Sequence, residues 1–376
     1  MAITPLTVGI PREVKTEEHR VAITPEGVRE LLHHGVEVLV EQGAGADSSI
    51  PDDDYRHAGA TVVADAAEVW ARAGLVCKVK EPMPEEFGHF RPGLVLFTYL
   101  HLAAYPAVAD ALLDGEVTGI GYETVTDRRG ALPLLAPMSE VAGRMSIQVG
   151  AHLLESHNGG RGVLLGGVPG VRPARVAVIG AGNVGWNAAW MAAGMQAEVQ
   201  LLDRDTDRLR FVDQIHMGRI TTIASNRGAV ERVVADADLL IGAVLVPGGR
   251  APTVVTREMV ETMKPGAVAI DIAIDQGGCI ETSRETTHAD PVFVHHGVLH
   301  YAVGNMPGAV PHTSTHALTN ATLPFLADLA RLGVADAVSD DPGLAAGVNT
   351  AGGHVVNAAV AEALGRPPVA LADALG

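Results

Sequence analysis

Residues 178–189 read VIGAGNVGWNAA and set Gly180, Gly182 and Gly185 in the order G-x-G-x-x-G. An apolar strand pattern, ARVAVIG, runs into this turn, and a helical pattern, NAAWMAAGM, runs out of it. In such a turn the first glycine makes the sharp bend and the second lets the backbone approach a pyrophosphate. The third lets helix and strand pack closely, with the helix N-terminus facing the phosphates. In a chain with 43 glycines the string alone is weak, and its strand–turn–helix context is what strengthens it. The next strand, AEVQLLD, ends at Asp203. A carboxylate there accepts hydrogen bonds from adenosine ribose hydroxyls and repels a 2′-phosphate, which favours NAD over NADP. Arg204 and Arg208, close by, pull the other way. A packing turn followed by a solvated aspartate is the plain alternative.

Working outward, the segment before the turn alternates short apolar runs with helical patterns. LTVGI, VEVLVEQG, ATVVA, LVCKVKEP, GLVLFTYLHL and VTGIGYETV read as strands; PEGVRELLHHG, DDDYRHAG, DAAEVWARAG and YPAVADALLDG read as helices. This alternation predicts a mostly parallel sheet with helices on both faces. MSEVAGRMSIQVGAHLLESHNGG then predicts one long helix ended by Gly159–Gly160. A second α/β unit follows, through AEVQLLDRD, DLLIGAVLV, AVAIDIAID and PVFVHHGVLHYAVGN. TSTHALTNATLPFLADLARLG predicts another long helix, and the tail NTAGGHVVNAAVAEALG reads as helical, packing back onto the first part.

Bulk properties bound the function. A length of 376 residues suggests about two domains, and 47% apolar residues provide ample core. The net charge of −17 argues against nucleic acid or an anionic membrane as partner. Cys77 and Cys279 make no disulfide framework, and the opening MAITPLTVGIPREVK has no apolar signal region. The expectation is a reducing cytoplasm. No metal-ligand spacing stands out among the histidines.

In doubly wound sheets ligands bind beyond the carboxyl ends of the strands. Lys78 and Lys80 stand at such an end, His101 closes an apolar run, Asp275 precedes a glycine pair, and Arg20 lies in a loop after the first strand. Taken singly, each also fits a plain role: a surface ion pair for Arg20, a solvated strand end for Lys80, a satisfied core histidine for His101, a helix cap for Asp275. Together they suit hydride exchange on an amino or hydroxy acid. The arginine fork binds a carboxylate, and the histidine moves a proton near neutrality.

Over almost its whole length the chain resembles the bacterial alanine dehydrogenases. The strings that carry the resemblance are GIPREVKTEEHRVAITPEGV, KVKEP, FTYLHLA, APMSEVAGRMSIQVGAHLLE, GGRGVLLGGVPGV, IGAGNVGWNAA, GAVLVPG, MKPGAVAIDIAIDQGG, NMPGAVPHTSTHALTNATLP and NTAGGHVVNAAVAEALG. The same broad family includes the soluble NAD-binding subunit of proton-pumping transhydrogenase and the saccharopine dehydrogenases. The resemblance implies an α/β fold of two Rossmann-like doubly wound domains with an active-site cleft between them. The NAD domain, 134–311, is inserted into a substrate domain made of 1–133 with 312–376. It further implies NAD as cofactor, L-alanine, pyruvate and ammonium as small-molecule substrates, and a homo-oligomer, commonly a hexamer.

By the same resemblance Arg20 clamps the substrate carboxylate, Lys80 donates to the carboxylate or carbonyl oxygen, and His101 is the acid/base group. Asp275 is its partner for the attacking water and the leaving ammonia. Toward the cofactor it implies Ser139, Gly180, Gly182, Asn183, Val184, Gly185, Asp203, Arg208 and Ser225. The remaining rim is Val244, Leu245, Ile272, Ala273, Ile274, Asp275, Arg284, Val303, Gly304, Asn305 and Met306. His316 departs from the aromatic expected in relatives. The implied chemistry is loss of hydride from Cα, addition of water to the iminium with His101 taking the proton, and collapse to pyruvate and ammonium. The rivals are a transhydrogenase subunit without need of an amino-acid pocket, a related opine- or saccharopine-type dehydrogenase, and a catalytically silent NAD-binding sensor; the presence of Arg20, Lys80, His101 and Asp275 argues against the first and the last.

Overall fold

The computed structural model describes residues 6–244 and 251–376. The chain divides into two compact units, Met1–Met138 with Val310–Gly376, and Ser139–Ala309.

The first unit opens with six short strands: β1 (Val8–Ile10), β2 (Val38–Glu41), β3 (Thr61–Val63), β4 (Leu75–Cys77), β5 (Val95–Thr98) and β6 (Thr118–Gly121). β1, β4 and β5 are buried at every position, as continuous apolar runs in a sheet covered on both faces must be. The connecting helices begin where sequence chemistry dictates. Thr24 caps helix Pro25–His33 with a proline at its first position, and the Asp65 carboxylate accepts from Glu68 N (2.9 Å) to cap Ala66–Arg72.

The second unit carries β7 (Arg175–Ile179), β8 (Glu198–Asp203), β9 (Ile220–Ala224), β10 (Leu239–Gly242), β11 (Val268–Asp271), β12 (Val292–His295) and β13 (Val298–Tyr301). Its order is β12-β13-β11-β10-β7-β8-β9, with every pairing parallel except β12 on β13. Helix Asn183–Gly194 packs on this sheet through Ala188, Ala189, Ala192 and Ala193, small residues that bring its axis close.

The chain ends in β14 (Val348–Ala351) and β15 (His354–Val355), which complete the first sheet in the order β15-β14-β6-β5-β4-β1-β2-β3. β14 runs antiparallel to β6, and Thr350 Oγ1 accepts from Gly119 N (3.1 Å). This corrects the helical reading of the tail. Only Ala358–Leu364 and Leu371–Leu375 are helical there. Gly352 and Gly353, both at positive φ (53° and 76°), form the two-residue turn of a hairpin. The long helix before β7 also stops earlier than expected. It spans Ala136–Leu153, and a separate 3₁₀ turn, Ser156–Asn158, precedes Gly159 at φ 90°. β9 was not anticipated; it is an edge strand of mixed character, with Ile220 buried and Thr221 and Ala224 exposed.

A charged group lies wholly inside the first unit. Lys78 is fully buried, with Nζ 2.8 Å from Glu86 Oε1 and 3.3 Å from Glu13 Oε2. Glu13 also accepts from Val79 N (2.6 Å), and Glu86 from Met83 N (2.8 Å). Burial opposes the Lys78 charge, but the two carboxylates outweigh it and raise its pKa. The triad ties the loop after β1 to the loop after β4. Lys78→Met should therefore cost about 3–5 kcal/mol, the usual effect of stranding buried charges. Urea unfolding measures it, and an unchanged midpoint would mean that the triad does not hold these loops.

Candidate functional site

In the first sheet the strand order reverses between β1 and β4, the switch point at which doubly wound sheets take ligands. The loops leaving β1, β4, β5 and β6 at their carboxyl ends carry Arg20, Lys80, His101 and Glu123. Arg20 is 2% exposed, and its fork is engaged by Glu18: Nε donates to Oε1 (2.6 Å) and Nη2 to Oε2, while Nη1 points at Met138 Sδ (2.9 Å). Burial alone would raise the Glu18 carboxyl; Arg20, and then Lys80, pull it down to about 2. The clamp expected of Arg20 thus comes with a carboxylate already fixing its plane. Lys80 is half-buried; its backbone N–H donates to Glu13 and its carbonyl accepts from Thr98 Oγ1 (2.9 Å). A cavity of about 220 Å³ opens beside Arg20, walled by the loops after β1 and β2, with Arg12, Glu13, Lys15, Glu18, Gly43 and Asp47 among its lining.

His101 sits at φ 48°, left-handed backbone that costs a non-glycine residue about 1–3 kcal/mol. The Glu123 carboxylate holds it there, accepting from His101 N (2.6 Å) and Leu100 N, while the His101 carbonyl accepts from Ala104 N (2.8 Å). The imidazole stacks on Tyr99 at 5.6 Å and places Nδ1 3.4 Å from Glu81 Oε2. Glu81 is 2% exposed, and its other oxygen accepts from Lys15 Nζ. Burial would raise the Glu81 carboxyl; the hydrogen bonds from His101 and Lys15 and the charge on Lys80 bring it down to about 2. The structure therefore brings Arg20, Lys80 and His101 to one set of strand ends. Glu18, Glu81, Glu123 and Lys15 are members that sequence reasoning missed. Lys15 and Glu18 lie in GIPREVKTEEHRVAITPEGV and Glu81 in KVKEP, but only the fold reveals their partners.

The second sheet reverses between β7 and β10, and the expected cofactor residues follow the carboxyl ends of its strands. Gly180, after β7, takes φ 106°, and a Cβ there would lie 2.6 Å from Ala243 O and 3.3 Å from the Val244 side chain. A Cβ on Gly185 would lie 1.7 Å from Gly180 O, so only glycine lets the helix sit against the turn. At Gly182 a Cβ would meet nothing nearer than Arg208 at 3.8 Å, which leaves room over the helix N-terminus. Asn183 is exposed at the first position of that helix, and Val184 is buried. Asp203, at the end of β8, accepts from Ala181 N (2.6 Å) and Asp205 N (2.8 Å), and its carbonyl accepts from Ser225 N after β9. Arg208 reaches Asp203 at 3.9 Å and Asp205 at 3.4 Å from an exposed position.

After β11, Ile272, Ala273, Ile274 and the exposed Asp275 form a tight turn, with Ile272 N donating to Gly242 O (2.9 Å). Val303, Gly304, Asn305 and Met306 follow β13. A Cβ on Gly304 would lie 3.1 Å from Asp275 Oδ1, which puts these two rim segments side by side. Asn305 adopts φ 58°. Arg284 instead stacks on Phe293 at 4.4 Å. Ser139 is half-buried in the first turn of Ala136–Leu153. Leu245 lies outside the described residues.

These residues fit a dinucleotide. The open face at Gly182, the helix N-terminus with its unsatisfied N–H groups, and a carboxylate at the end of β8 are the three parts that pyrophosphate and ribose require. The second unit is a Rossmann-like dinucleotide-binding unit, and the chain as a whole is a doubly wound α/β protein of the dehydrogenase type.

Two family profiles match the chain: "Alanine dehydrogenase/PNT, N-terminal domain" over residues 9–142 and "Alanine dehydrogenase/PNT, C-terminal domain" over residues 146–358. The chain belongs to the alanine dehydrogenase/PNT family. It is 55% identical to the alanine dehydrogenase of Bacillus subtilis over 361 residues, covering 96% of this chain and 95% of that protein. It is 55% identical to that of Mycobacterium tuberculosis over 362 residues, covering 96% and 98%. A solved L-alanine dehydrogenase superposes with a TM-score of 0.93 at 47% identity, covering 96% of this chain and 99% of that one. A transhydrogenase from Sinorhizobium meliloti superposes with 0.80 at 27% identity, covering 94% and 99%.

The two depressed carboxyls predict an acid response. An unfolded glutamate takes up its proton near 4.5, whereas folded Glu18 and Glu81 do so near 2. Their stabilisation is complete above 4.5 and is lost as pH falls through that window, at about 1.4 kcal/mol per pH unit for each group. Urea unfolding between pH 5 and pH 2 should show a smaller slope for Glu81→Gln than for the wild type. Equal slopes would remove Glu81 from the charged cluster.

Proposed function

We propose that this chain catalyses the reversible, NAD-dependent oxidative deamination of L-alanine to pyruvate and ammonium. The observation that carries this reading is the grouping of Arg20, Lys80 and His101 at the carboxyl ends of β1, β4 and β5. The family membership and the fitting dinucleotide turn support it. Greater identity to the alanine dehydrogenases than to the transhydrogenase favours it over the subunit reading.

The glycines 180, 182 and 185 would hold the pyrophosphate, Asp203 the adenosine ribose, and Arg208 and Ser225 the adenosine side. Ser139, Val244, Ile272 to Asp275, Arg284 and Val303 to Met306 complete the cofactor's surroundings in this reading. When bound, NAD supplies a hydride acceptor for the substrate Cα. Arg20 and Lys80 bind the carboxylate and orient the acid, which converts a bimolecular encounter into a positioned one. His101 takes a proton from the water that adds at Cα and returns a proton as ammonia departs, with Asp275 as its proposed helper. Among the described residues no helix is long and apolar enough to cross a membrane. We take the enzyme to be cytoplasmic and a homo-oligomer, a hexamer by resemblance to its family.

Purified protein should reduce NAD in the presence of L-alanine and fail to do so without it. His101→Ala should lower kcat by about 10²–10⁴, the range of a lost acid/base group, while NADH binding by fluorescence stays near normal. Near-full turnover in a folded His101→Ala protein would overturn its role. The cofactor reading predicts that Asp203→Ala narrows the preference for NAD over NADP, measured as the ratio of the two kcat/KM values. Equal use of both cofactors by the unaltered enzyme would sink it.

A further inference from the structure

The geometry points to Glu81 as the positioning residue for His101, with Lys15 setting the strength of its charge. This rests on the reading of His101 as the acid/base group. Glu81 leaves the end of β4, Lys15 lies in the loop after β1, and His101 in the loop after β5, so three separate strand ends meet at one buried carboxylate. One Glu81 oxygen accepts from Lys15; the other lies 3.4 Å from His101 Nδ1. Catalytic hydrogen bonds of this kind often tighten only when substrate is bound. A carboxylate at Nδ1 keeps the hydrogen on that nitrogen and leaves Nε2 as the acceptor.

The step balances accordingly. The oxygen of water bonds to the electrophilic Cα of the oxidised substrate, its proton passes to Nε2, and Nδ1 keeps its own hydrogen. Glu81 stays ionised throughout and stabilises the imidazolium that forms, in the manner of a carboxylate behind a catalytic histidine.

Among the described residues of the first unit, the charged and titratable groups around the imidazole are few enough to give a signed test. Glu81 and Lys15 face it directly or through one contact; Glu123 binds its backbone; Lys80 lies close enough to act on Glu81; Tyr99 stacks on the ring. Tyr105 completes the set through its hydroxyl, 3.4 Å from Lys15 Nζ. Removing the anion destabilises the imidazolium and leaves Lys15 uncompensated beside it. Removing the cation does the reverse.

The acid limb of kcat/KM for L-alanine deamination should therefore move to lower pH in Glu81→Gln and to higher pH in Lys15→Gln, relative to wild type. A merely structural role would lower turnover without moving the limb in opposite directions. Limbs that coincide, or that move the same way, overturn the proposal. ¹⁵N-histidine NMR of the whole enzyme, assigned with His101→Asn, reads the ring without turnover. It should show hydrogen on Nδ1 in the wild type and a redistribution in Glu81→Leu; an unchanged ring would overturn the proposal. If His101→Ala stayed fully active, the functional reading would fail instead, while the NMR result would still decide whether Glu81 orders the ring.

Discussion

A single buried ammonium organises the first unit. Lys78 has no exposed surface, so its charge survives only because Glu13 and Glu86 close on it from two other segments. That requirement fixes where the chain goes after β1 and after β4. Glu13 is two residues from Lys15 and Glu86 closes the turn that begins beyond Glu81, while Lys80 hangs from the same backbone that Glu13 grips at Val79 and Lys80. Lys80, proposed to meet the substrate, is therefore hung from this internal salt cluster, whereas Arg20 is held by Glu18 and His101 by Glu123. Burial raises Glu13 to about 6 even against the attraction of Lys78.

The same solution to chain packing occurs in each unit. Six parallel strands run in the order 3-2-1-4-5-6, with an antiparallel addition at the edge beside the sixth: β14 and β15 in the first sheet, β12 in the second. Parallel strands place all their carboxyl ends on one side, and the reversal of order leaves a gap between the first and fourth strands there. What differs is the chemistry hung on those ends. In the second sheet it is backbone and glycine, suited to phosphate. In the first it is alternating cations and carboxylates, suited to orienting a small acid.

Most of this was legible in the sequence because its causes are local. Gly180 and Gly185 are demanded by sterics within one turn, and the alternation of strands and helices follows from apolar periodicity and capping residues. The tail was misread because Val348–Ala351 is only four residues long and includes Asn349 and Ala351, both depleted in strands, so that its place is set by pairing with β6 and β15. The signal was Gly352–Gly353 between two short runs. Glu18, Glu81 and Glu123 were invisible for a different reason. Glutamate in a loop is ordinarily solvated, and nothing in its neighbours tells which one the fold will bury against Arg20, Lys15 or the amide of His101.

Those buried carboxylates also decide where pH acts. Glu18 and Glu81 stay ionised down to about 2, and burial notwithstanding, their partners Arg20 and Lys15 are held charged above their ordinary range. Tyr99, under the His101 ring, is pushed well above the usual phenol range by burial. Glu18, Glu81, Arg20, Lys15 and Tyr99 thus keep one charge state through weakly acidic and neutral solution, while Glu13, behind Lys78, is raised to about 6. A frame of constant charge lets the histidine exchange protons with substrate without the pocket rearranging as it does so.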